Sequence, residues 1–204
     1  MLENLKKYHI ILASNSPRRK ELLAGLGIDY AVRVLSGIDE SYPDDLPVTD
    51  IAAYIAHKKT DAYRPTMADD ELLITADTVV ICDNEVMGKP LDEADAHRML
   101  RQLSGRVHHV TTGVCLTTSK QQRLFSVTTE VTFKELSDDE ISYYISHYHP
   151  FDKAGAYGIQ EWIGYIGCTG LNGSYYNVMG LPVQRIYTEL QRFTRQRSLP
   201  DCQL

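Results

Sequence analysis

The amino-acid sequence predicts an α/β fold of mixed α+β character, with helices packed around one mixed sheet. Three observations carry that expectation. The run LLITADTVVI at 72–81 has the unbroken hydrophobicity of a strand covered on both faces. Three helix-start signals, at Ser16-Pro17, Asp92 and Ser137-Asp-Asp-Glu140, each open a segment with helical apolar spacing. Strand-like and helix-like segments alternate through the N-terminal half, and a hairpin-like pair follows them.

In chain order, 8–14 reads as a buried first strand. Ser16 caps a helix that carries Leu22, Leu23 and Leu26 and stops at Gly27. Residues 30–36 alternate like a second strand, and the polar, proline-containing stretch from Asp39 to Pro47 reads as a loop. Ile51, Ile55 and Ala62 line one face of a helix over 48–63, and the strand at 72–81 takes a central position. A Gly-Lys-Pro turn precedes the helix capped by Asp92, which buries Ala96, Met99, Leu100 and Leu103. Strands follow near 107–118 and 124–134, then a capped helix over 138–147. The glycine- and tyrosine-rich stretch 155–180 reads as turns and short strands forming a site wall. A closing helix runs from Leu181 to Phe193, so 1–193 reads as one domain and 194–204 as a frayed tail.

The chain has 204 residues, with 21 Lys+Arg against 27 Asp+Glu, a net charge of −6. A chain this long can bury roughly 70% of its unfolded surface, so its core needs no disulfide or metal staple. The acidic balance argues against a broad nucleic-acid-binding or membrane-binding surface but leaves room for a local basic site. No run approaches the ~18 apolar residues of a membrane span. The run Ile10–Ala13 is too short for a secretory signal, so a cytoplasmic protein is expected. Cys82, Cys115, Cys168 and Cys202 form no CxxC pair and read as reduced thiols. His108-His109 and His147-x-His149 lack metal-ligand spacing.

Function is written where local rules are broken. The first helix opens Ser16-Pro17-Arg18-Arg19-Lys20, with three cations at the end that already carries about half a positive charge. Either this is a solvated basic helix start, or free backbone N–H groups and guanidiniums converge on a phosphate. Asp77 interrupts the most apolar strand, where an ionised carboxylate needs a cation, as a structural ion pair, a metal ligand or a general base. Thr78 faces away from it if the strand is regular and toward it if the strand ends or bulges. Lys59 shares the apolar helix face of Ile51 and Ile55, with Lys58 as the competing inward lysine. Gly88-Lys89-Pro90 lacks the flanking residues of a Walker loop and is by itself a turn. Asp39-Glu40 follows a strand and offers a second carboxylate to a hard divalent cation. Cations at Arg18, Arg19, Lys59 and Lys89 with carboxylates at Glu40 and Asp77 suit phosphoanhydride chemistry.

These segments, in order, resemble the Maf family of nucleoside triphosphate pyrophosphatases. The motifs are LASNSPRRKELL, Asp39-Glu40, Lys59 in HKKTDA, ADT at 76–78, GKP at 88–90, LSGRVHHVTTGV, DKAGAYGIQ at 152–160 and GSYYNVMGLP, spanning Leu12 to about Leu190. The resemblance implies a two-lobed, inosine-triphosphatase-like fold with a cleft between the lobes. It implies cleavage of nucleoside triphosphates between the α and β phosphates, to monophosphate and pyrophosphate, with Mg²⁺ or Mn²⁺. It assigns the proton acceptor to Asp77; the metal is expected on Glu40 and Asp77, and the phosphates on Ser14, Arg18, Arg19, Lys59 and Lys89. Arg18, Thr78 and Gln160 match the positions linked to base choice in the subgroup acting on dTTP and UTP. A homodimer is implied as well. The sister subgroup acting on 7-methyl-GTP differs at those three positions and ranks second. Two other classes compete: a non-catalytic nucleotide-binding regulator of septum formation, and an RNA-binding module built on Pro17-Arg18-Arg19-Lys20. The complete set of Asp77 and lysines speaks against the first and the net charge against the second. This chain departs from the family pattern at His149-Pro150, where Glu-Pro is frequent, and at Asn15, where Gly or Ser is frequent. It also carries Glu161 where Gly is common, which adds a charge beside a base-reading residue.

Overall fold

The computed structural model describes residues 2–192. Seven strands form one mixed sheet: β1 (His9–Leu12), β2 (Ala31–Val32), β3 (Glu71–Cys82), β4 (Glu85–Met87), β5 (Val107–Thr117), β6 (Gln122–Phe133) and β7 (Cys168–Asn172). Their order is β2-β1-β3-β5-β6-β7, with β4 paired on the far half of β3. Strands β2, β1 and β3 run parallel, and every other pairing is antiparallel. The parallel strands require crossovers, which α1 (Pro17–Ala24) and α2 (Ile51–Tyr63) supply. The expected mixed sheet is therefore present, and residue 193 onward, including Cys202 and the expected tail, lies outside the described residues.

The central strand is covered on both faces, as its composition requires. Residues Val79 and Ile81 pack with Ile51, Ala52 and Ile55 of α2. On the other face Leu72, Ile74 and Ala76 join the core around β1, α1 and α7 (Val183–Arg192). Val80 and Cys82 join the core around α3 (Glu93–Leu103) and α4 (Asp138–Tyr148). Helix α2 crosses β5 at Gly113, where a Cβ would meet the Ala52 backbone at 2.3 Å. Glycine there lets the helix backbone lie directly on the sheet. Thr75 then donates to the Ala56 carbonyl at 2.8 Å and shares a 2.7 Å hydrogen bond with Thr60.

The expected caps form. Ser16 accepts from the Arg19 amide, Asp92 from the Asp95 amide, and Ser137 with Glu140 makes a reciprocal capping box. Three segments differ from expectation. The second strand is two residues long, because past Val32 the chain is held by the buried Tyr63 hydroxyl, which accepts from the Leu35 amide and donates to the Arg33 carbonyl. The stretch 155–180 contains, besides turns and the short strand β7, two short helices beyond those expected, α5 (Trp162–Gly167) and α6 (Tyr175–Met179), flanking β7. Its glycines mark close approaches as well as turns: a Cβ on Gly164 would meet the Ile159 carbonyl oxygen at 1.8 Å. The first helix ends at Ala24 with Gly25 as its cap, two residues before the glycine expected to stop it.

Candidate active site

A cleft of about 780 Å³ opens between the β1–α1 turn with the 34–42 loop on one side and the 152–160 segment on the other. Strand β3 crosses its floor. Ser14, Arg18, Arg19, Glu40, Lys59, Asp77, Thr78, Lys89 and Gln160 all line it. Sequence separation vanishes because β1 and β3 are parallel neighbours, so the turn after β1 and the middle of β3 open into the same cleft.

At its centre, Lys59 Nζ lies 2.7 Å from Asp77 Oδ1 and 3.0 Å from Glu40 Oε1. Lys59 and Asp77 are each 13% exposed, and Glu40 reaches in from the loop. The choice between the two lysines is thereby resolved. Lys58 turns outward to Asp39 at 2.7 Å, where its hydrogen bond, with those of Ser41, holds the Asp39 carboxyl far below the usual range. Strand β3 is in regular register with β5 through this stretch, Asp77 opposite Gly113 and Thr78 opposite Thr112. Thr78 therefore points to the opposite side from Asp77, and its hydroxyl meets Arg19 at 3.1 Å and Thr112 at 2.9 Å.

Arg19 spends three of its donors on the protein: Nε on the Gly180 carbonyl at 2.9 Å, one terminal nitrogen on the Ala76 carbonyl at 2.8 Å, and the other on Thr78. Burial lowers its pKa, with Asp77 the main opposing charge. It ties α1 to β3 and to the turn at Gly180, and keeps two further N–H groups. Ser14 accepts from the Ser16 amide at 3.2 Å and shapes the turn after β1. Arg18 spans the cleft to Asp152 at 2.9 Å. Lys89 is exposed, with no carboxylate partner among the described residues, and its turn is fixed by the Gly155 amide donating to the Gly88 carbonyl at 3.0 Å.

Comparison with known proteins gives the chain a family. The model for "Maf-like protein" matches residues 9–193. This chain belongs to the Maf family. A protein from Phocaeicola vulgatus called "dTTP/UTP pyrophosphatase" is 67% identical over 94% of this Maf chain and 100% of its own. One from Parabacteroides distasonis with the same name is 61% identical over 95% and 100%. A solved HAM1 protein from Coxiella burnetii is 16% identical, covering 91% of this chain and 99% of its own, with a TM-score of 0.44.

The donor chemistry of the Maf cleft fits a hard divalent cation. Glu40 and Asp77 converge on one point, held by the Lys59 ammonium, and Mg²⁺ typically takes one or two carboxylates and completes its shell with water and substrate phosphates. Among the described residues no cluster of three or more His, Cys, Asp or Glu side chains offers an all-protein cage. No helix among them is long and apolar enough to cross a membrane.

Sequence reasoning missed Lys153, which lines the cleft with its side chain only 9% exposed, between Asp152 at 2.8 Å and Glu161 at 3.1 Å. Burial pushes the Asp152 carboxyl up, but hydrogen bonds from Lys153 and Arg18 leave it below its ordinary value. The DKAGAYGIQ motif contained this lysine, yet nothing in a linear sequence shows that it is enclosed. Glu161 does not stand as an uncompensated charge beside Gln160, because Lys153 pairs with it and Tyr144 hydrogen-bonds it.

Proposed function

We propose that this protein is a nucleoside triphosphate pyrophosphatase acting on dTTP and UTP, an acid-anhydride hydrolase that releases pyrophosphate and the nucleoside monophosphate. The observation that carries the reading is the Glu40–Lys59–Asp77 cluster at the floor of a cleft edged by Arg18, Arg19 and Lys89. The names of relatives up to 67% identical over their full length support the substrate. Ser14, Arg18, Arg19, Lys59 and Lys89 receive the phosphates. Lys59 is shared between Asp77 and the arriving phosphate. As the phosphate draws the ammonium away, the Asp77 carboxylate is released to accept a proton from the attacking water. Glu40 and Asp77 hold Mg²⁺ or Mn²⁺, which when bound neutralises phosphate charge and lowers the pKa of water.

Arg18, Thr78 and Gln160 are proposed to read the base. Gln160 Oε1 is shielded and has no donor in the structure, a costly state for an acceptor that the N3–H of a uracil or thymine ring relieves. The protein is further proposed to be cytoplasmic and homodimeric, with residues 1–193 as one domain. Pyrophosphate release from dTTP and UTP in Mg²⁺, abolished by chelation, is the expected result. Tight nucleotide binding without release favours a regulator, and faster release from 7-methyl-GTP moves the chain to the sister subgroup.

A further inference from the structure

Residues 158–161 form a tight turn, closed by the Glu161 amide donating to the Gly158 carbonyl at 3.0 Å. Gln160 sits inside it. One buried hydroxyl grips both ends: Tyr144 accepts from the Gly158 amide at 3.0 Å and donates to Glu161 Oε2. Burial, and then Glu161 itself, push the Tyr144 pKa far up, so the phenol keeps its proton. The other oxygen of Glu161 takes Lys153, which holds Asp152, which in turn holds Arg18 across the cleft. At the Gly158 position the Glu161 carboxyl carbon and Gln160 Nε2 both lie within 3 Å of where a Cβ would stand, at 2.8 and 2.9 Å. The Glu161 carboxyl group and the Gln160 NH₂ thus stand on the same side of Gly158, and the amide oxygen is the atom left without a donor.

We propose that Glu161 is a specificity-determining positioning residue: with Tyr144 it fixes the turn and the sense of the Gln160 carboxamide, so that the amide accepts from the N3–H of uracil or thymine and rejects cytosine. A carboxamide that is free to turn over matches either ring. With its oxygen facing N3–H it fits a keto pyrimidine. Reversed, it donates to the unprotonated N3 of cytosine and accepts from its amino group. Specificity therefore needs a device that forbids the reversed amide, since a buried polar site discriminates strongly only when the wrong ligand leaves groups unpaired. Glu161 is that device here, and Lys153 neutralises its charge so that it does not repel the triphosphate.

The inference rests on the pyrimidine triphosphate reading above, and the test separates the two. Steady-state kcat and KM are measured for UTP and CTP in the wild type, Glu161→Gln, Glu161→Ala and Glu161→Asp. Wild-type preference for UTP tests the substrate reading. The proposal expects Glu161→Ala to narrow the UTP:CTP ratio of kcat/KM by about tenfold, mostly through KM, with kcat within about threefold. Glu161→Asp restores part of the ratio. Glu161→Gln keeps the size and the acceptor for Tyr144 but loses the charge, and narrows the ratio comparably. An unchanged ratio in Glu161→Ala and Glu161→Gln, or a fall in kcat equal for both nucleotides, overturns the proposal even if the wild type prefers UTP.

Discussion

The two walls of the cleft are built from different material. One is regular structure: Asp77 lies mid-way along the twelve-residue β3, in register with Gly113 of β5 and between the stretches paired with β1 and β4, and Lys59 rides a thirteen-residue helix seated on the sheet through Gly113. The other, from His149 to Glu161, is two single-turn 3-10 helices and a tight turn, with His149 and Ala156 at φ of 46° and 59°. It is held by an ion-pair chain and by the Tyr144 hydroxyl. The contrast teaches a division of labour. Bond cleavage needs placement to a fraction of an ångström, and its proposed residues sit on the rigid sheet and the helix against it. Base choice is a difference of affinities, and in the proposed roles Arg18 and Thr78 share it with Gln160, whose turn one substitution can retune.

The sharpest way to break that division is at Asp77. Asp77→Asn keeps the side-chain shape and an acceptor for Lys59 but removes the base. Turnover of dTTP is expected to fall by about 10²–10⁴-fold, with the UTP:CTP ratio unmoved. Activity near the wild-type level would dismiss Asp77 as proton acceptor. A change in the ratio would show that the walls are not independent.

The adjacent lysines sharpen the same point with a smaller effect. Lys59→Met removes the ammonium between Asp77 and Glu40, and kcat should drop by about 10²-fold, as for other groups that stabilise developing charge. Lys58→Met, one residue away but facing Asp39 on the surface, should stay within about threefold. Equal losses in parallel rate measurements would refute the separate roles that the helix face gives them.

The rigid wall was largely legible in the sequence because its signals are violations of simple rules. A carboxylate in an apolar strand, a lysine on an apolar helix face and cations at a helix start each demand a partner. Asp77, Lys59 and Arg18 do stand at one cleft. What the residues alone left open was the choice between Lys58 and Lys59 and the side to which Thr78 turns. Those depend on the rotation of α2 and on an unbroken register, which no local pattern encodes. The second wall was poorly legible. Lys153 lies in a glycine-rich run without periodicity, and its burial comes from Asp152 beside it and Glu161 eight positions on. The same absence of period led to an expectation of turns and strands where α5 and α6 form.

Acidification should separate the walls by stability. His108 on β5 is fully buried behind the second wall, its Nε2 2.8 Å from the Tyr157 hydroxyl and its Nδ1 without a partner. Burial, and secondarily His109, lower its pKa from 6.5 to about 4. The sign follows from which state takes up the proton first. The unfolded chain protonates His108 near pH 6.5, whereas the folded chain resists until about pH 4. Stability is thus intact above 6.5, falls as pH drops through this window, and is fully lost from this group below about 4. At 1.36 kcal/mol per pKa unit, the loss amounts to about 3 kcal/mol. Urea unfolding at pH 7, 5.5 and 4.5 should show that decline in the wild type. His108→Gln, which cannot titrate, should start less stable and decline less across the same window. Equal slopes for the two proteins would mean that His108 is not the group through which acid loosens the packing beneath the base-reading wall.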